Sequence, residues 1–100
     1  MTQEEVLNVL RHVIDPELGI NVVDLGLVYS VDIQDGHVRV AMTMTTPACP
    51  LHDYLLQAAE AALWQHLPEV QSVHVELVWD PPWQPTMMSE AAKRQLEVAR

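Results

Sequence analysis

The chain is poor in several things that folds and active sites commonly use. It has one cysteine, Cys49, among its 100 residues. A disulfide within the chain is therefore excluded, and so is a complete cysteine cage for zinc or an iron–sulfur cluster built from one copy alone. There are three glycines and no G-x-G-x-x-G, P-loop, G-x-S-x-G or H-E-x-x-H pattern. Phosphate-cradling loops and the common hydrolase signatures are thereby removed from consideration. Lysine and arginine total five against fourteen aspartates and glutamates, for a formal net charge of −9. Such a surface repels nucleic-acid backbones and anionic lipid, so neither nucleic acid nor membrane is an expected partner. No apolar run approaches the roughly 20 residues that span a bilayer. The first residues, Met1-Thr-Gln-Glu-Glu5, lack the basic and apolar regions of a signal peptide, which predicts a cytoplasmic protein.

What is present is a hydrophobic fraction of 49%, enough for a packed core without disulfides. The length suits one domain over 1–100. Thr2 and Glu5 form a capping-box pattern, and Val6, Leu7, Leu10, Val13 and Ile14 follow at helical spacing, predicting a helix over 3–13 that Pro16 stops. Asp15 to Gly19 reads as a turn, and 20–27 as an irregular apolar connection. From Val28 the period becomes two. Asp35-Gly36 is a hairpin turn, because both residues tolerate positive φ. A two-residue turn pairs Gln34 with His37, Ile33 with Val38, Val31 with Val40 and Tyr29 with Met42. Met44 extends the same inward face, while Arg39, Ala41, Thr43 and Thr45 point outward. Pro50 suits the first turn of a second helix running to about His66, with Leu51, Leu55, Ala58, Ala59, Ala62 and Leu63 as its buried stripe and Cys49 as its N-cap. A third strand covers 73–79, placing Trp79 in the core, and Asp80-Pro-Pro-Trp83 breaks it. A last helix is predicted over 89–99. The order αββαβ plus a C-terminal helix predicts an α/β (α+β) two-layer sandwich.

Cys49 is the first candidate for chemistry. A thiol at a helix N-terminus meets the positive end of the macrodipole and free N–H groups, and both favour thiolate. A buried structural cysteine is the competing account, and the residues alone leave both open. Thr45 and Thr46 precede it, either as donors to a sulfur or as ordinary strand-end threonines. His52 shares the helix start with Cys49, so the two are a candidate pair of metal ligands, but two ligands do not make a site and a surface histidine is the simpler account. Asp15, Glu17 and Asp24 are carboxylates at turns, where the usual role is bonding to their own backbone. Trp83 either caps the core or offers an aromatic anchor to a partner.

Four ordered segments carry a resemblance: Val13-Ile-Asp-Pro-Glu-Leu-Gly-Ile20, Asn21-Val-Val-Asp-Leu-Gly-Leu-Val-Tyr29, Met44-Thr-Thr-Pro-Ala-Cys-Pro50 and Val78-Trp-Asp-Pro-Pro-Trp83. Together they resemble the PaaD-like and SufT-like iron–sulfur cluster assembly domain family. The resemblance implies a compact fold with a small mixed three-stranded sheet, similar to the C-terminal domain of NifU-type scaffolds. It implies a surface site where Asp15, Glu17 and Leu18 of the D-P-E-L turn meet Thr45, Thr46 and Cys49, with Asp24 in the D-L-G segment. It further implies an accessory role in cluster assembly or delivery, with scaffold, carrier or client proteins as partners. Iron or an iron–sulfur cluster would be handled transiently, across a homodimer if two Cys49 residues and small thiols complete four ligands. A cysteine-dependent thiol enzyme, or an adaptor with no metal contact, are the competing functions. An enzyme is not the expectation, because no histidine oriented by a carboxylate is evident beside the thiol.

Overall fold

A computed structural model of the chain describes residues 1–45 and 52–98, without the side chains of His52, Glu97 and Val98. Its first helix, α1 (Gln3–Leu10), begins where the capping box predicts: the Thr2 hydroxyl accepts the Glu5 N–H at 3.1 Å. It ends sooner than expected. After Leu10 the chain tightens, with His12 N–H bonding Val9 and Val13 N–H bonding Leu10 at 3.0 Å each. That twist turns Val13 into the core (4% exposed) and leaves Ile14 and Asp15 extended as β1 (Ile14–Asp15).

The segment read as an irregular connection has more order than its composition suggests. Ile20 and Asn21 form β2 (Ile20–Asn21), paired antiparallel with β1 across the Asp15–Gly19 turn. Gly19 takes φ +70°, a conformation that costs a Cβ-bearing residue about 1–2 kcal/mol.

The hairpin of β3 (Val28–Gln34) and β4 (His37–Met42) follows the predicted register at its turn end, with Asp35 and Gly36 both at positive φ. At the open end it departs. A β-bulge lies between Val28 and Ser30, and Val28, not Tyr29, faces Met42. The extra residue frees Tyr29 from the ladder, and its hydroxyl donates instead to the Pro81 carbonyl at 2.7 Å. The fourth strand stops at Met42, short of the expected Thr45. Thr43 does not face solvent as its alternation predicts. It is fully buried: the ladder ends at Met42 and the Thr43 N–H turns to the Leu27 carbonyl at 2.8 Å, so alternation no longer sets its direction.

Helix α2 (His52–His66) crosses back over the sheet to β5 (Ser72–Leu77), which runs parallel to β4. The result is the mixed sheet β3-β4-β5. Helices α1 and α2 cover one face, and Val38, Val40 and Met42 meet Leu55, Ala59, Leu63, Val6 and Leu10 in a single core. The predicted helix start at Cys49 and Leu51 lies outside the described residues. The third strand is shorter than expected, and Trp79 lies beyond its end with 42% of its surface exposed rather than in the core. Past Leu77 the Asp80-Pro81-Pro82 run abandons the sheet, so alternation no longer fixes the ring's direction. A 3-10 turn at Pro85–Met87 leads to α3 (Glu90–Val98), whose first turn is capped by the Ser89 hydroxyl accepting from Ala92 N–H at 3.1 Å. No described helix is long and apolar enough to cross a membrane.

Candidate functional site

The D-P-E-L turn is built around its aspartate. Asp15 is 4% exposed, one of two buried polar residues among those described. Its Oδ1 accepts from the N–H groups of Glu17 (2.8 Å) and Leu18 (3.3 Å), and its carbonyl accepts from Gly19 (2.7 Å). Pro16 starts this turn because it has no N–H to satisfy and its φ is preset. Asp15 is thus engaged by its own turn. Leu18 packs against the core, and the Glu17 side chain is left exposed.

Asp24 belongs to a second turn. Asn21 Oδ1 accepts the Asp24 N–H at 2.9 Å, and Asn21 Nδ2 donates to Asp24 Oδ2 at 2.8 Å. This reciprocal pair fixes Val22–Leu25, and the Leu25, Gly26 and Leu27 N–H groups close the turn onto Asn21, Val23 and Val22. Sequence reading assigned no role to Asn21. The signal was available: Asn and Asp three apart, each able to bond the other's backbone or side chain.

The C-terminal segment clasps this loop from outside. Trp83 Nε1 donates to the Leu25 carbonyl (2.7 Å), and Ser89 N–H donates to the Asp24 carbonyl (2.8 Å). Gly26, at φ +78°, lies so close to the 3-10 turn that a Cβ on it would collide with the Met87 carbonyl oxygen. The indole of Trp83 therefore caps the core and holds a backbone carbonyl.

Thr45 lies at the far end of the β4 direction. With Met44, Trp79, Pro82 and Trp83 it lines an open cleft of about 360 Å³. Half-buried Thr45 is the last described residue before 46–51, so Thr46 and Cys49 lie outside the described residues, as does the side chain of His52. Among the described residues no hydrogen bond joins the Asp15–Leu18 turn to Thr45, and no three His, Cys, Asp or Glu side chains cluster as a metal site. The Thr43 hydroxyl, one residue before Met44 in the chain, is buried without a hydrogen-bond partner among the described residues.

A helix-covered mixed sheet, a self-capped D-P-E-L turn and a clasped N-x-x-D loop define a small α/β domain of one recognisable class. Residues 3–77 match the family described as iron–sulfur cluster assembly protein, and the chain belongs to that family. It is 42% identical over 97 residues to the Fe-S protein maturation auxiliary factor YitW of Bacillus subtilis (strain 168), covering 96% of this chain and 94% of that protein. It is 46% identical over 88 residues to the Fe-S protein maturation auxiliary factor SufT of Staphylococcus aureus (strain USA300), covering 87% and 99%. Among solved structures, the crystal structure of a domain of unknown function, DUF59, from Bacillus anthracis superposes with a TM-score of 0.93 at 37% identity, covering 96% of this chain and 92% of that one.

Proposed function

We propose that this chain is an accessory factor that helps assemble iron–sulfur clusters or deliver them to client apoproteins, acting as a single domain in the cytoplasm and not as an enzyme. The observation that carries this reading is family membership over 3–77, together with near full-length similarity to two proteins named as Fe-S maturation auxiliary factors.

In this reading Cys49 is the working group. It lies just before α2 in sequence, and a helix of 15 residues presents a positive dipole end and unpaired N–H groups that favour thiolate. The cluster is cargo. One cysteine supplies one soft ligand, and the remaining ligands come from a second copy, a scaffold or carrier, a client, or small thiols. Such sharing suits transfer, since an incompletely ligated cluster can be taken over by a client that offers more cysteines. Thr45 and Thr46 are assigned to orienting the sulfur. Glu17 and Asp24 are assigned to tuning the charge around it, with Asp15 and Leu18 shaping the turn that carries Glu17. The cleft beside Thr45, walled by Trp79 and Trp83, is the surface assigned to a client or carrier, and His52 is kept as a weak candidate ligand beside Cys49.

The test is anaerobic incubation of wild type and Cys49→Ala with iron and sulfide, read by visible absorbance and acid-labile sulfide. The expectation is a coloured wild type and a colourless variant. Identical spectra for both would remove direct ligation by Cys49. Normal activity of cluster enzymes in cells carrying only Cys49→Ala would remove the thiol from the function altogether.

A further inference from the structure

We propose that the open edge of β5 is a self-association surface, and that two copies of this chain pair antiparallel through it about a two-fold axis at Val75. This goes beyond the cluster-handling reading and makes no use of Cys49.

The sheet has two edges, and they are treated differently. The β3 edge is interrupted by the bulge at Tyr29, and the Gln3 side chain donates to the Val31 carbonyl at 2.8 Å. Both devices blunt an edge against further pairing. The six-residue β5 edge has neither: no bulge, no proline and no lysine or arginine from Ser72 to Leu77, and among the described residues no strand on its outer side. Ser72 and Val78 send their N–H groups toward the β4 side, to Gly36 and Met42. Alternate residues in a strand bond to opposite sides, so Val73, Val75 and Leu77 direct their N–H and C=O groups outward.

A self-pair centred on Val75 uses those groups fully. Val75 faces Val75, and Val73 faces Leu77 on each side, each pair exchanging both of its bonds. Val73, Val75 and Leu77 are only partly buried in one copy, and the pairing brings their side chains together on the helix-covered face. On the opposite face the same register places His74 of each copy against Glu76 of the other, in non-hydrogen-bonded positions where side chains approach most closely. Their side chains are 61% and 45% exposed, and the pair they make within one copy is long, at 3.9 Å, and ionic only when His74 is protonated, so the dimer exchanges it for cross-strand contacts. A shift of two residues one way sets His74 against His74, and the other way Glu76 against Glu76. Only the Val75-centred register keeps both His74–Glu76 contacts: one shift loses them, and the other adds carboxylate repulsion.

Sedimentation velocity over a range of concentrations, with amide exchange at Val73, Val75 and Leu77, tests the pairing. Wild type should dimerise, and those three amides should become protected as dimer forms. His74→Glu sets like charges across both contacts and should weaken association about tenfold or more, His74→Lys should strengthen it, and the double variant H74E/E76K should restore it. Circular dichroism of each variant checks that the fold is kept, as expected for exposed positions. A wild type that stays monomeric up to its solubility limit, a dimer indifferent to His74→Glu, or a double variant that stays dissociated would each overturn the proposal. Cys49→Ala should dimerise like wild type, so failure of the cluster reading leaves this one standing.

Discussion

Replacing Gly26 by alanine separates two costs that glycine positions usually mix. At φ +78° a Cβ-bearing residue loses about 1–2 kcal/mol to left-handed strain. Gly19, at φ +70°, carries the same conformational cost, and a Cβ there meets nothing within 4 Å. Gly26 adds a second term. Its Cβ would collide with the Met87 carbonyl oxygen and lie 2.9 Å from the carbonyl carbon and the Met87 Cβ. These are largely backbone atoms, which cannot swing aside, so relief requires lifting the Pro85–Met87 turn. Overpacking of this kind costs about 1–3 kcal/mol. Gly26→Ala should therefore destabilise by about 3 kcal/mol and Gly19→Ala by about 1 kcal/mol. In a chain of this size the larger loss lowers the melting temperature on the order of 15 °C. The displacement also has an address. Lifting the turn should break the Ser89 N–H bond to Asp24 and the Trp83 indole bond to Leu25, so Ser89 amide exchange should accelerate in Gly26→Ala and not in Gly19→Ala. Equal melting temperatures for the two variants, or an unchanged Ser89 amide, would refute the close contact.

Asp15→Ala removes the acceptor for two N–H groups in a part-buried turn and should cost about 2–3 kcal/mol, whereas Asp15→Asn keeps an oxygen at the same place and should recover most of it. If Asp15→Asn is stable yet loses cluster handling in the anaerobic assay, the carboxylate charge acts beyond the turn. Thr43→Val replaces a buried hydroxyl that has no partner among the described residues with a methyl of similar size, and a gain of about 1 kcal/mol by urea denaturation is expected. A loss of that size would mean that the hydroxyl is bonded.

The hairpin was legible because its information is local. Asp35-Gly36 dictates the turn, and a turn of fixed length dictates the register until an extra residue intervenes. The bulge at Tyr29 was not legible, because the partner that its hydroxyl finds is a carbonyl 52 positions away in the chain, at Pro81. Thr43 and Trp79 exchanged their expected environments for the same reason: both lie past the end of a strand, where the Thr43 N–H bonds the Leu27 carbonyl and the proline run follows Trp79, so alternation no longer applies. The motif residues of the site were all visible as types. Whether Asp15 is a ligand or a turn-former depends on where two amide groups point, and no spacing rule encodes that.

The clasp bears both on the loop carrying Asp24 and on the cleft beside Thr45. The family match ends at residue 77, yet the loop carrying Asp24 is held from outside by Trp83 and Ser89. Two hydrogen bonds, the Tyr29–Pro81 bond and the contact at Gly26 join segments more than 50 positions apart. Trp83 does double service, since the same ring that holds the Leu25 carbonyl also walls the cleft beside Thr45. Under the proposed function, a partner seated in the cleft would touch the same indole that bonds the loop carrying Asp24. The residues after 77 thus hold the Asp24 loop and wall the cleft at once, so they belong to the packing of the domain and are not an appendage to it.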